Sequence, residues 1–181
     1  MSDQPVLVTE RLVLRPFRLD DAVRVRELAN TREIADMTLN IPYPYPEGGA
    51  EKWIGSHPTS WSAGTGAVWA MTLPTDDQLV GAIGLRIEPE HRRAELGYWI
   101  GVPFWGRGYA TEASRVVVAW GFDAADLHRI SAHYLPGNTA SRRVMEKIGM
   151  QEEGLLRALV WKDDRPLDLV ARAILRTDPR L

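Results

Sequence analysis

The chain of 181 residues contains no cysteine. This absence excludes a disulfide framework, a catalytic thiolate and a zinc site with cysteine ligands. The 4 histidines are never spaced as H-E-x-x-H, the pair that holds zinc on a metalloprotease helix. We therefore expect neither thiol chemistry nor a metal site.

Long apolar runs and a surplus of basic charge are also missing. No run reaches the roughly 18 apolar residues of a membrane-spanning helix, and the first residues lack the basic and apolar segments of a signal peptide. The formal net charge is -2, so the total charge does not favour nucleic acid as a partner. We expect a cytoplasmic protein that binds neither membrane nor nucleic acid.

What is present is an ordinary globular composition, with 45% hydrophobic and 25% charged residues, which suits a single domain over residues 1–181. Hydrophobic periodicity and turn residues predict a mixed α/β layer fold. The predicted strands are 11–18, 68–73, 78–87, 94–102 and 127–135, with two more between 153 and 175. The predicted helices are 20–29, 51–61, 111–122 and 139–148, and His57-Pro58 is expected to end or kink the second of them.

The most informative stretch runs from Phe104 to Ala113 and reads F-W-G-R-G-Y-A-T-E-A. It follows the apolar segment Leu96 to Ile100 and opens a helical pattern. Gly106 and Gly108 lack Cβ, so the backbone can turn sharply and approach a ligand closely. The first amides of the helix have no intrahelical partner, and the helix dipole adds positive potential there. The stretch therefore predicts an anion site, the alternative being a turn without a ligand.

Two nucleotide-binding patterns do not fit this stretch. A P-loop requires Lys and Ser or Thr after its last glycine, whereas Gly108 is followed by Tyr109 and Ala110. The dinucleotide pattern G-x-G-x-x-G would require a small residue at Thr111. Mononucleotide and dinucleotide loops of these types are therefore excluded.

The pattern that remains, G-x-G-x-A-T-E-A, resembles the acetyl-coenzyme A (acetyl-CoA) pyrophosphate loop of the GNAT superfamily of N-acyltransferases. The opening T-E-R-L-x-L-R-P-F, from Thr9 to Phe17, resembles the RimJ/RimL-like branch, which acetylates protein N-termini. The resemblance covers about residues 8 to 176. It implies a GNAT fold with a central, mostly antiparallel twisted sheet of about seven strands, helices on both faces, and a splay between the fourth and fifth strands.

The resemblance implies acetyl-CoA as cosubstrate. Its pyrophosphate would be bound by the main-chain amides of Arg107, Gly108, Tyr109, Ala110 and Thr111. Its pantetheine arm would lie in the splay against the main chain of Ile100, Gly101 and Val102, where an unpaired amide could serve as oxyanion donor. Asn138 would also bond that arm, although asparagine before a helix is in itself a good N-cap, worth about 1 kcal/mol. Trp105 stands where most of the superfamily has Gln or Arg, which removes one side-chain contact.

The resemblance places the general base at Glu95, on the strand that leads to the loop. A carboxylate partly buried among aromatics has a raised pKa, which suits a base near neutral pH. The alternatives are a structural glutamate paired with Arg92 or Arg93, and Asp168 as a weaker candidate for the base.

The tyrosine that usually protonates the leaving thiolate corresponds to Met145, which has no proton to give. In the RimJ/RimL-like branch the proposed substitute is the serine one helical turn after the asparagine. Ser141, three residues after Asn138, therefore inherits that role by resemblance.

The segment from Ile41 to Pro46 carries three prolines, so we expect an extended loop. Its tyrosines, Tyr43 and Tyr45, together with Trp53, either line the acceptor pocket or pack the loop onto the domain. The expected acceptor is a protein or peptide N-terminal α-amine. The alternatives are a small amine such as an antibiotic or polyamine, a non-catalytic coenzyme A sensor, and a ligand-free interaction domain. The resemblance also allows a homodimer.

Overall fold

The structure, a computed structural model, describes residues 3–179. Its strands are β1 (Leu7–Val8), β2 (Val13–Pro16), β3 (Gly66–Thr72), β4 (Leu79–Glu88), β5 (Arg93–Ile100), β6 (Arg129–Tyr134), β7 (Gln151–Lys162) and β8 (Arg165–Leu175). Its helices are α1 (Ala22–Ala29), α2 (Arg32–Met37), α3 (Gly49–Ser62), α4 (Tyr109–Asp123) and α5 (Thr139–Lys147). Within residues 3–179, none of these helices is long and apolar enough to cross a membrane.

All the strands belong to one sheet, in the order β1-β2-β3-β4-β5-β6-β8-β7. Every neighbouring pair is antiparallel except β5 and β6, which are parallel. The predicted mixed α/β fold with a mostly antiparallel sheet is confirmed. The sheet has 8 strands over the described residues rather than about seven, because the N-terminal segment folds back on itself and pairs Leu7 with Leu14 as β1 and β2.

The parallel pair β5 and β6 is joined over a short length only. Its partners are Arg93 with Arg129, Ala94 with Ile130, and Glu95 with Ser131. Beyond Glu95 the two strands no longer pair with each other, although β5 continues beside β4 to Ile100 and β6 continues beside β8 to Tyr134. The predicted splay therefore exists and, because of the additional N-terminal strand, it lies between the fifth and sixth strands.

Helix α4 covers one face of the sheet at this splay. Its residues Ala113, Val117 and Phe122 are fully buried, and each buried Val or Phe side chain contributes about 1.5–3 kcal/mol. Gly121 allows a close approach, because a Cβ there would lie 2.9 Å from Ile130 Cδ1 of β6. Residues on the other face of β5, such as Glu95, point away from α4.

Two helical details differ from expectation. Helix α2 was not anticipated; Thr31 caps it by accepting a bond from the Ile34 amide at 3.3 Å, and Ile34 and Ala35 are buried. Helix α3 does not end at Pro58, because the turn after the proline keeps its bonds, with Ala63 N donating to Thr59 O at 2.9 Å.

Candidate active site

The glycine loop between β5 and α4 has the backbone that its sequence requires. Gly106 and Gly108 have φ angles of 74° and 82°, in the left-handed region where a side chain is disfavoured. Helix α4 begins at Tyr109, directly after Gly108. The amides of Tyr109, Ala110 and Thr111 therefore form its first turn, where helix geometry offers no intrahelical partner. The loop presents a positive helix terminus suited to an anion.

The N-terminal strand pair holds this loop in place. Arg11 Nη1 donates to the carbonyl of Arg107 at 2.9 Å, and Arg11 Nε donates to Glu112 Oε2 at 2.7 Å. Thr9 Oγ1 donates to the other oxygen of Glu112 at 2.6 Å. The Arg107 side chain contacts the loop itself, since its Nη2 donates to the Pro103 carbonyl at 3.2 Å. The predicted pyrophosphate contact of the Arg107 amide stays a prediction.

A groove of about 760 Å³ lies beside the N-terminus of α4. It is lined by Val8, Thr9, Glu10, Arg11, Gly108, Thr111, Glu112, Arg115, Val116 and Lys147. Arg115 and Lys147 form no ion pair with any residue between 3 and 179, and one guanidinium nitrogen of Arg115 donates to the Lys147 carbonyl at 3.2 Å. A groove that joins a helix N-terminus to two such cations suits a phosphate-bearing cosubstrate.

The main-chain groups at the end of β5 point to two different sides. The amide of Gly101 donates to Val80 O at 2.9 Å, on the β4 side, and the Ile100 carbonyl accepts from Trp105 Nε1 at 2.7 Å. Main-chain groups of successive residues in an antiparallel ladder point to alternate sides. Because the Gly101 amide points to β4, the amide of Ile100 points to β6 and into the splay. Of the two residues, Ile100 is thus the better placed to offer an oxyanion donor.

Glu95 is the last residue of β5 that pairs with β6, and both of its carboxylate oxygens have partners. Oε1 lies 2.9 Å from Nδ1 of His133 on β6, and Oε2 accepts a bond from Arg86 Nη2 on β4. The hydrogen bond from His133, together with Arg86, lowers the pKa of Glu95 to about 2, against the opposing effect of burial.

The expected raised pKa of Glu95 is therefore wrong, because neighbours on both adjacent strands stabilise its charged form. The suggested structural partners are wrong as well. Arg93 pairs with Glu88 at 2.6 Å, and Arg92 pairs with Asp126 at 2.8 Å. Whether Glu95 is the base stays a prediction.

Tyr98 and the first turn of α5 meet on the opposite face of β5. Ser141 lies in the first turn of α5, where its amide donates to the N-cap oxygen Asn138 Oδ1 at 3.0 Å. The hydroxyl of Tyr98 on β5 donates to the Ser141 carbonyl at 3.4 Å, and burial raises the pKa of Tyr98 to about 12. Tyr98 was missed in the sequence, although its spacing from the buried Ala94 and Leu96 places it on this face.

Asn138 is confirmed as the N-cap of α5. Its Nδ2 also donates to the Met37 carbonyl at 3.3 Å, which ties α5 to α2. Met145, at the position of the usual donor tyrosine, is buried in the core. The predicted cosubstrate contact of Asn138 is an addition to these two bonds and stays a prediction.

Comparison with known proteins agrees with this geometry. The family profile described as acetyltransferase (GNAT) domain matches residues 11–151. The chain belongs to the GNAT acetyltransferase family. It is an acetyl-CoA-dependent N-acyltransferase with the GNAT fold, similar to the RimJ/RimL-like members.

Three relatives illustrate the similarity. The uncharacterized N-acetyltransferase YoaA of Bacillus subtilis is 31% identical over 95% of this chain and 97% of its own length. The [ribosomal protein uS5]-alanine N-acetyltransferase of Escherichia coli is 24% identical over 95% of this chain and 91% of its own length. The crystal structure of Mycobacterium smegmatis RimJ in complex with CoA-disulfide matches with a TM-score of 0.81 and 26% identity, over 91% of this chain and 81% of that one.

The three residues predicted to bind the acceptor of this GNAT enzyme make separate contacts, and their role in acceptor binding stays a prediction. Trp53 packs with Phe17 and His57, at ring-centroid distances of 5.0 and 4.6 Å. Tyr45 is half-buried, and its amide donates to Asn30 Oδ1 at 2.9 Å. Tyr43 is exposed beneath the guanidinium of Arg32.

Asp168, the weaker candidate for the base, has a structural contact. Its Oδ1 accepts a bond from the Ala158 amide at 2.8 Å, at the irregularity in β7 between Leu156 and Val160.

Among residues 3–179, no group of three His, Asp or Glu side chains is arranged to hold a metal ion.

Proposed function

We propose that the enzyme transfers the acetyl group of acetyl-CoA to an N-terminal α-amine of a protein or peptide in the cytoplasm. The observation that carries the proposal is the splay between β5 and β6. It opens directly after Glu95, has the carboxylate of Glu95 and the imidazole of His133 on one face and the hydroxyl of Tyr98, bonded to the Ser141 carbonyl, on the other, and leads along β5 to the glycine loop. Attack in a ternary complex requires the amine and the thioester to be held together in a reactive geometry, which this opening offers.

Each group has a proposed role in that reaction. The amides of residues 108–111 hold the pyrophosphate of acetyl-CoA, and the cations Arg115 and Lys147 attract the other phosphate group of the same molecule. The Ile100 amide stabilises the negative charge that develops on the carbonyl oxygen. Ser141 delivers a proton to the leaving sulfur, with Tyr98 next to it as a second hydroxyl.

The choice of an N-terminal amine rests on one relative. The [ribosomal protein uS5]-alanine N-acetyltransferase, 24% identical over 95% of this chain, acts by its name on the alanine of a ribosomal protein. The carboxylates of Glu95 and Glu153 beside the splay are each paired with an arginine, so charge alone does not select the acceptor.

Thiol release from acetyl-CoA tests the proposal. The substrate is a short peptide with a free N-terminal alanine and an internal lysine, and the matched control is the same peptide with a formylated N-terminus. We expect turnover only with the free terminus. Turnover of both peptides would indicate lysine as the acceptor, and turnover with spermidine or an aminoglycoside alone would indicate a small-amine enzyme. Binding of acetyl-CoA without thiol release in any arm would indicate a sensor.

A further inference from the structure

The Glu95–His133 pair lies where the parallel strands separate. Glu95 faces Ser131 in the last paired position, and His133 is two residues farther along β6, beside the opening. The side chain of His133 is 19% exposed and that of Glu95 is 29% exposed. Both are therefore held by the sheet but remain within reach of a molecule in the splay.

The hydrogen bonds of this pair leave His133, but not Glu95, with an atom that is free to accept a proton. A carboxylate can only accept, so the proton in the contact of 2.9 Å belongs to Nδ1 of His133. Within residues 3–179 no group bonds Nε2, which in this tautomer carries the free lone pair. Glu95 has no such freedom, because Arg86 engages its second oxygen.

A base that works near neutral pH needs a proton affinity matched to that pH. A carboxylate whose two oxygens already accept charge-assisted bonds is a weak proton acceptor. A neutral imidazole with one nitrogen oriented by a carboxylate is the arrangement in which histidine acts as a general base.

We propose that His133 is the general base of the acetyl transfer and that Glu95 is its positioning residue. The inference rests on the proposed function and assigns the proton-removing role to a residue of β6 that the sequence motifs did not indicate. Glu95 holds the imidazole ring, fixes its tautomer and stabilises the imidazolium that forms.

The proton and electron balance of the step is as follows for an ammonium acceptor. Nε2 of His133 takes one ammonium proton, and the freed nitrogen lone pair forms the C–N bond to the acetyl carbonyl carbon. The C–S bond then breaks with its electron pair on sulfur. One of the two remaining amine protons passes to sulfur, through Ser141 in the proposed scheme, which leaves an amide and a thiol. His133 returns its proton to water.

The charges around His133 come from four strands. Glu95 on β5 bonds it directly, and Arg86 on β4 bonds Glu95. Arg129 on β6 pairs with Glu153 on β7, and that pair lies on the same face of the sheet. The imidazole of His133 therefore lies among two carboxylates and two guanidinium groups.

The first test reads the tautomer of His133 without any turnover. Long-range ¹H–¹⁵N correlation spectra of the ¹⁵N-labelled protein distinguish protonated from unprotonated imidazole nitrogens, and the His133→Asn variant assigns the signals. We expect the neutral ring to carry its proton on Nδ1. A ring protonated on Nε2 overturns the proposal.

The second test compares kcat/KM across pH in His133→Asn and Glu95→Gln. Asparagine keeps a donor toward Glu95 but provides no basic nitrogen, so we expect a loss of about 10²- to 10⁴-fold and no acid limb in the pH profile. Glutamine still accepts from Nδ1, so Glu95→Gln should lose less and keep the acid limb. In the wild type, the midpoint of this limb should coincide with the NMR titration of His133. The matched control is His128→Asn, at an exposed histidine, which should behave as wild type.

The outcomes separate this inference from the proposed function. If the wild type turns over and Glu95→Gln is the more damaged variant, Glu95 is the base and the inference is wrong while the function stands. If the wild type binds acetyl-CoA but releases no thiol with any amine, the proposed function fails and the role of His133 fails with it. Thermal shifts with acetyl-CoA that match the wild type show that each variant is folded.

Discussion

At the scale of single residues, the chemistry of the site depends on which groups have their bonds already made. The Ile100 carbonyl is engaged by Trp105, and both oxygens of Glu95 have partners, whereas Nε2 of His133 has none among the described residues. The motif positions therefore select a strand and a helix, but the available proton acceptors and donors are set by contacts between neighbouring strands.

The hydrogen bond from the Tyr98 hydroxyl to the Ser141 carbonyl leads to a prediction at this scale. We expect Ser141→Ala to lower kcat by about 10- to 100-fold with little change in KM for acetyl-CoA, because the thiolate would lose its proton donor. If Tyr98 acts through Ser141, adding Tyr98→Phe should cause little further loss.

Steady-state kinetics of the two single variants and the double variant measure this coupling. Losses that multiply in the double variant would show that the two hydroxyl groups act separately. An unchanged kcat in Ser141→Ala would remove Ser141 from the mechanism.

At the scale of elements, local signals were sufficient to predict two backbone features. The sharp glycine turn before α4 and the Asn138 cap of α5 are properties of a few consecutive residues, and both were predicted. Helix α2 was missed because its 6 residues are too few to show a helical period of hydrophobic residues. The partners of Glu95 could not be predicted, since Arg86 and His133 reach it only through the register of β4 and β6.

The glycine loop gives a prediction at the element scale. Gly108→Ala places a side chain at φ 82°, which costs about 1–2 kcal/mol of stability. We also expect a weaker stabilisation by acetyl-CoA, because the first-turn amides would shift away from the pyrophosphate. Gly64→Ala is the matched control, with φ 68° and nothing within 4 Å of the added Cβ.

Thermal unfolding of both variants with and without acetyl-CoA separates strain from binding. Both should lose similar stability, and only Gly108→Ala should lose ligand stabilisation. An equal ligand effect in the two variants would show that the loop does not contact the cosubstrate.

At the scale of the whole molecule, strands of one sheet form both sides of the site. The strands from β1 to β5 carry the loop and its Arg11 support, while β6, β7 and β8 carry His133 and the second rim of the splay. The separation of β5 from β6 after three paired residues creates the opening between these two parts. The family resemblance predicted this architecture, whereas residue spacing alone predicted only a mixed α/β fold.

The central claim is that this opening and the glycine loop bind acetyl-CoA, and thermal unfolding of the wild type tests it most directly. Separate samples contain acetyl-CoA, coenzyme A or NADH. A ligand at 100 times its Kd stabilises the folded state by about 2.7 kcal/mol, which raises Tm by about 5–10 °C for a chain of this size. We expect that shift with acetyl-CoA and coenzyme A and none with NADH. An unchanged Tm with all three at millimolar concentration would contradict the claim.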